Sequence, residues 1–203
     1  MITIEKVETC GWEPALRGMR NPKDSWDRAD SDFPRLGTND LTLAYTLAKA
    51  GPVHAKYRRM IKVYCDITAP LYWWKEFDTY KVGTVANSCS TMHTIHRRDL
   101  TLDDFAHDHL TECNRNLLDL VIRNINAARR DFVEAPDHLS AKEHWYQMIQ
   151  LLPTSFLQKR TVEMNYEVLS NMYHFRKNHK QDEWREFCEW IKTLPYAEDL
   201  ILI

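Results

Sequence analysis

Between Met60 and Tyr80 the sequence changes its period without a break. Ile61, Val63, Cys65 and Ile67 alternate with Lys62, Tyr64, Asp66 and Thr68, which predicts a strand over Met60 to Thr68 with one buried face. Ala69-Pro70 then leads straight into Tyr72, Trp73, Trp74, Phe77 and Tyr80. Pro70 suits the first turn of a helix, where its missing N–H costs nothing. So many rings on so few turns cannot all enter one small core. They are expected to pack within the subunit, across a subunit interface, or against a flat ligand. A helical turn from His54 to Arg59 precedes the strand, and a polar Asn/Ser segment follows the helix as far as His93.

The flanking segments supply the other layers. Ile2, Ile4 and Val7 alternate loosely with polar residues over Met1 to Thr9, which predicts a half-buried strand at a sheet edge. The stretch from Gly11 to Gly37 mixes prolines, glycines and charges, and reads as an irregular connection with one helical turn at most. Its part from Asn21 to Arg35 is the best candidate for a mobile loop. Thr38 is read as the cap of a helix through Leu41, Leu43, Ala44, Leu47 and Ala48, stopped by Gly51-Pro52. A long helical region is expected over Leu102 to Phe132. Ser140 with Glu143 forms a capping box for the next helix, ending at Leu152-Pro153. Strand-like Thr161 and Val162 lead into Tyr166 to Arg176, a last helix spans Gln181 to Thr193, and the apolar tail Leu200 to Ile203 docks on the body. These patterns predict one α+β domain over 1–203.

Composition excludes several functions. A formal net charge of -2, with 27 basic and 29 acidic residues, leaves no basic surplus to hold DNA or RNA through phosphates. The N-terminus lacks the basic start and apolar run of a signal peptide, and no segment approaches the length of a membrane span; a cytoplasmic protein without a membrane partner is expected. Cys10, Cys65, Cys89, Cys113 and Cys188 are scattered, with no CxxC pair. They read as reduced thiols, most of them packing residues. His93, His96, His107 and His109 form the densest histidine group, but they lack a third fixed partner. They are read as solvated helix-end residues and not as metal ligands.

No GxGxxG, GxxxxGK[ST], GxSxG or HExxH occurs, and five glycines are few for a phosphate loop built on backbone amides. An anion would therefore be held by side chains: Lys56, Arg58 and Arg59; Lys75 and Lys81; Lys159 and Arg160; Arg176 and Arg185. Each set alone reads as a solvated face; four of them beside aromatic and Asn/Ser segments leave solvated faces and a phosphate-bearing ligand as the two readings.

Taken together, these residues resemble the flavin-dependent thymidylate synthases, which methylate deoxyuridylate with FAD and a folate donor. The similarity covers about His54 to Asn87 and Leu152 to Arg185. The family's histidine before a strand ending in Ala-Pro is matched by His54 and Ala69-Pro70. Its Leu-Pro, basic residue, Asn, Arg and closing Gln-x-Glu-x-Arg are matched by Leu152-Pro153, Lys159, Asn165, Arg176 and Gln181 to Arg185, with one residue deleted. Where the family carries Arg-His-Arg, this chain has Thr79-Tyr80-Lys81. With one residue inserted, Thr84, Asn87-Ser88, Ser90 and Met92-His93 follow the family's Ser, Asn-Glu, Ser and Arg-Tyr.

The resemblance implies an α+β fold with a mainly antiparallel sheet flanked by long helices. It implies a homotetramer with shared active sites, and one-carbon transfer to C5 of a pyrimidine nucleotide with FAD, NADPH and a reduced folate. It places His54, Lys56, Arg59, Tyr80, Lys81, His174 and Arg176 near the flavin, and Glu76, Asn87, Ser88, Ser90, Lys159 and Arg185 near the nucleotide; it names no catalytic nucleophile. Two departures stand out. Lys81 cannot reproduce a guanidinium fork. Glu76 stands where the family uses a glutamine near the pyrimidine, and an acceptor-only carboxylate would repel a uracil carbonyl and suit the amino group of cytosine. A homologue that kept the fold and lost the chemistry, serving as a nucleotide-binding or structural oligomeric protein, is the alternative the same residues leave open.

Overall fold

The computed structural model describes residues 2–203. Its sheet has four antiparallel strands in the order β1-β2-β4-β3, where β1 is Thr3–Cys10, β2 Lys62–Pro70, β3 Thr84–Ser88 and β4 Leu157–Asn165. The helices are α1 Trp12–Arg20, α2 Thr38–Lys49, α3 Leu71–Phe77, α4 Thr91–Thr94, α5 Glu112–Glu134, α6 His138–Leu151, α7 Tyr166–Arg176, α8 Asp182–Ile191 and α9 Ala197–Leu200. The α+β architecture with long helices is therefore the one expected. Two compact units divide the chain, one holding Thr68–Phe77 and Ser88–Arg160, the other Ile2–Ile67, Asp78–Asn87 and Thr161–Ile203. We call them the first and second unit; β2 and β4 each begin in one and end in the other.

In the first unit, α5 packs on α6. Phe105, Leu118, Ile122, Ile125 and Met148 form the core they share, because Leu118, Ile122 and Ile125 recur at helical spacing along one face of α5. Three rings of the aromatic run are inside. Trp73, Trp74 and Phe77 are buried, with Trp73 and Trp74 edge to face at 4.9 Å and Trp74 and Phe77 at 5.2 Å. As expected, the five rings do not share one core: the seven-residue helix places Trp73, Trp74 and Phe77 on a single face, Tyr72 is half-buried, and Trp74 Nε1 donates to the Gln158 carbonyl at 2.9 Å. α3 ends at Phe77, so Tyr80 lies beyond it.

In the second unit, Ile61, Val63, Cys65 and Ile67 are buried as the alternation predicts. β1 occupies the sheet edge but is mostly exposed instead of half-buried. Between them the sequence misleads. Gly11 to Gly37 contains the nine-residue helix α1, with Pro14 in its first turn, where a missing N–H is harmless, and Ala15, Leu16, Met19 and Arg20 buried. Asn21 to Arg35 is tied down as well. Arg20 Nε donates to Asp40 at 2.6 Å, its Nη atoms reach the Ser25 and Arg28 carbonyls, and Asp40 accepts from Ser31 Oγ at 2.6 Å.

Several caps differ from expectation. Gly37, and not Thr38, is the N-cap of α2; the Asp30 carboxylate accepts from the Asn39 and Asp40 amides instead. Asp137 caps α6, with its carboxylate accepting from the Leu139 and Ser140 amides, so Ser140 is capped and does not itself cap. The region from Leu102 to Thr111 is a 3-10 turn and loop, and α5 begins only at Glu112. The tail docks as expected: Ser170 Oγ donates to the Ile201 carbonyl at 2.7 Å, and Arg58 Nη1 donates to the Leu200 carbonyl at 3.1 Å.

Gly83 precedes β3 with φ +83, and a Cβ there would lie 2.6 Å from Asn165 Nδ2. Asn165 Oδ1 caps α7 through the Val168 amide at 2.9 Å. Gly83→Ala should therefore cost about 1–3 kcal/mol in a thermal melt, through the left-handed backbone and the displaced cap. Gly51→Ala is the control, since Gly51 has φ +98 but open space around it. Equal losses in the two variants would rule out the cap contribution.

Candidate functional site

Three sets of side chains emerge, each within one unit. The first, in the second unit, is a stack. Arg176 Nε donates to the Tyr80 hydroxyl at 3.0 Å, and the guanidinium carbon lies 5.6 Å from the Tyr80 ring and 4.6 Å from that of Trp184. The planar, weakly hydrated guanidinium suits such a place. His179 packs edge-on against Trp184 at 6.4 Å, and Arg185 Nη1 donates to the His179 carbonyl at 2.6 Å while pairing with Asp182. Tyr80, Arg176 and Arg185, drawn from β3's approach, α7 and α8, thus stand in one neighbourhood, with exposed Lys81 next in the chain. Trp184 and His179 were not singled out as site residues. Trp184 follows Arg176 by eight positions, a spacing that signals nothing until α7 and α8 fold back on each other.

The second set, also in the second unit, lines a cavity of about 820 Å³ that includes His54 and Lys56. Arg17, Lys23, Asn21, Ser25 and Tyr57 share the wall, and no Asp or Glu is among its lining residues. Tyr57 donates its hydroxyl to the Ala44 carbonyl at 2.7 Å, and burial pushes its pKa up. Arg17 and Lys23 escaped sequence reasoning because they belong to the segment taken for a loop. Arg59 is not in that wall; it pairs with Glu167 at 2.5 Å, a bond that raises its pKa. His174 Nε2 bonds the Ile203 carbonyl at 2.9 Å, and Asn87 is exposed on β3.

The third set is in the first unit. A cavity of about 500 Å³ is lined by Thr68, Cys89, Thr91, Thr94, Arg97 and Lys159, among others. Gln158 Nε2 donates to the Cys89 carbonyl at 3.0 Å, and the Cys89 amide donates to the Lys159 carbonyl at 2.8 Å. These bonds hold the segment after β3 against β4. Ser90 is the N-cap of α4, with its carbonyl accepting from Thr94 Oγ1 at 2.8 Å. Ser88 is exposed at the end of β3, and Glu76 is half-buried on α3. Arg98 is committed to Asp104 by two bonds.

All five thiols are free. Most are not packing residues, contrary to expectation: Cys10, Cys89 and Cys113 are exposed, while Cys65 and Cys188 are buried, which pushes their thiols up to about 12 and about 11. The histidine group is dispersed among separate contacts. His107 Nδ1 lies 2.8 Å from the Phe105 carbonyl, and His96 packs on Phe132 at 4.9 Å. No helix among the described residues is long and apolar enough to cross a membrane.

The fold is that of the flavin-dependent thymidylate synthases. Thymidylate synthase X of Helicobacter pylori, crystallised with FAD and dUMP, superposes with a TM-score of 0.72 at 14% identity, covering 100% of this chain and 98% of that one. A second structure of the Helicobacter pylori enzyme with FAD and dUMP gives 0.71 at 14%, covering 98% and 97%. PolB of Streptomyces cacaoi, a UMP/dUMP methylase bound with 5-Br dUMP, gives 0.64 at 15%, covering 98% and 91%. The sequence matches no protein-family model and no curated protein.

Proposed function

We propose that the chain, acting as one domain, is an FAD-dependent enzyme that transfers one carbon to C5 of a pyrimidine nucleotide. In this reading it works as a cytoplasmic homotetramer with NADPH and a reduced folate. One observation carries the proposal. A chain that shares its fold, end to end, with proteins crystallised with FAD and dUMP has a cavity of about 820 Å³ with four basic side chains and no carboxylate on its wall. That volume falls within the range of small-ligand pockets, roughly 300–1,000 Å³, and the charge suits the two phosphates of a dinucleotide.

When bound, reduced FAD mediates the one-carbon transfer. This chain's residues bind and orient. Lys23, His54 and Lys56 offset the pyrophosphate, while the Tyr80, Arg176 and Trp184 stack offers a flat, cationic surface. Arg97 and Lys159 meet the nucleotide phosphate, and the hydroxyls of Thr68, Thr91 and Thr94 supply hydrogen bonds beside it.

The test is a titration of the purified chain with FAD, read by flavin absorbance and by melting temperature. At free FAD one hundred times the dissociation constant, stability should rise by about 2.7 kcal/mol. Lys56→Ala should weaken FAD binding about tenfold, as expected for one charge-assisted bond. Lys159→Ala should weaken nucleotide binding while leaving FAD binding unchanged. In a panel of UMP, dUMP and dCMP, a preference for dCMP that Glu76→Gln reverses would confirm the role given to Glu76. A colourless protein that gains no stability with FAD would overturn the proposal.

A further inference from the structure

A separate cavity of about 470 Å³ lies where α1 faces the segment around Trp26 and Phe33, within the second unit. Its walls are Leu16, Trp26, Ala29 and Phe33, its floor is Arg20, Ser31 and Asp40, and its rim is Glu13 and Arg17. Two observations make it a binding site and not a packing gap. Trp26 is held in place by its Nε1–H to Asn21 Oδ1 at 2.9 Å, yet 52% of it is exposed; Phe33 is 37% exposed. One oriented ring and a second exposed ring open on one cavity offer a stacking surface.

The floor is already satisfied. Arg20 and Asp40 spend their hydrogen bonds on each other, on the Ser25 and Arg28 carbonyls, and on the Asp30 and Ser31 amides. It can add shape but little recognition. The wall segment is pinned to α2 by those same bonds, so the cavity is preformed, and a preformed site avoids the ordering cost of binding.

Recognition therefore falls to the rim. Glu13 and Arg17 are 3.8 Å apart with side chains 70% and 64% exposed, an i,i+4 pair weak enough for a ligand to replace. It offers one acceptor and one donor side by side. Charges balance at the rim, and they balance again at the floor. A phosphate gains nothing there, in contrast to the carboxylate-free cavity whose wall Arg17 also joins.

We infer that this cavity binds an uncharged bicyclic heteroaromatic ring between Trp26 and Phe33. The ring edge carries an N–H donor beside a carbonyl acceptor, met by Glu13 and Arg17. Guanosine presents N1–H and N2–H2 to the carboxylate and O6 to the guanidinium, whereas adenosine offers one amino donor and only a ring nitrogen as acceptor.

Guanosine and adenosine titrated against the full chain, followed by calorimetry, test it. Guanosine should bind saturably and at least fivefold more tightly than adenosine. Trp26→Ala should weaken guanosine at least tenfold and leave the FAD-induced melting shift unchanged. Glu13→Gln, at an exposed position that does not endanger folding, should reduce the preference over adenosine. Absence of saturable guanosine binding, equal affinity for the two nucleosides, or indifference to Trp26→Ala would each overturn the inference. Because FAD binding is measured in the same samples, failure here is distinguishable from failure of the proposed activity.

Discussion

Asp40→Ala should destabilise the protein by about 3–5 kcal/mol, because it leaves the Arg20 guanidinium buried without its counter-charge. The two side chains are 4% and 2% exposed and 2.6 Å apart. For a chain of this size, the melting temperature should fall by roughly 10 °C. The loss extends beyond the pair. Asp40 also accepts from the amides of Asp30 and Ser31 and from the Ser31 hydroxyl, so its removal frees the segment that walls the smaller cavity. Arg20→Met should cost less than Asp40→Ala, since it leaves those amide bonds in place.

The pair also makes stability depend on pH. Burial pushes the Asp40 carboxyl up, but the hydrogen bonds from Ser31 and Arg20 outweigh it and hold the group below its usual range. A depressed folded pKa stabilises fully above the unfolded value of about 3.9, and that contribution is lost as pH falls through the folded pKa. Melts of wild type and Asp40→Asn should thus differ most near neutrality and converge in acid. A gap that stays constant down to about pH 3 would refute the assignment.

Trp74→Ala should be comparably damaging, at about 3–5 kcal/mol for a large ring removed from a packed interior. Trp74 is 1% exposed, touches Trp73 and Phe77, and carries Arg160 with its guanidinium carbon 4.2 Å from the ring. Its Nε1–H satisfies the Gln158 carbonyl. Gln158 in turn holds the Cys89 carbonyl on the wall of the cavity proposed for the nucleotide. Stability and nucleotide affinity should therefore fall together in Trp74→Ala. Trp74→Phe, which keeps a ring and drops the N–H, should lose only about 1–3 kcal/mol for the unpaired carbonyl. Chemical denaturation and nucleotide titration of both variants give the comparison; a Trp74→Ala protein that melts like wild type would sink it.

How much of this was legible beforehand follows from the range of the interactions. β2 could be read because its alternation is local and its face is buried as written: Val63, Cys65 and Ile67 go in. α7 could be read from Tyr166 to Arg176 for the same reason. α1 could not, because Pro14 and the surrounding charges imitate a turn, and only burial of Leu16 and Met19 separates helix from loop. The caps of α2 and α6 were misplaced because Asp30 caps from outside its helix and Asp137 competes with Ser140 three residues on.

The candidate site divides in the same way. Cationic side chains at positions 54 to 59, 159, 176 and 185 were visible as residues, and a phosphate-bearing ligand was one of the two readings they left. Their use was not visible. Tertiary structure alone decided that Arg176 stacks on Tyr80 and Trp184, that Arg59 is taken up by Glu167, and that Arg17 and Lys23 join His54 and Lys56 around one cavity. Period and punctuation along a chain determine which backbone forms, since those preferences act over a few residues. Which charges stay available to a ligand depends on contacts as distant as Tyr80 and Arg176, 96 residues apart, and only the fold brings such partners together.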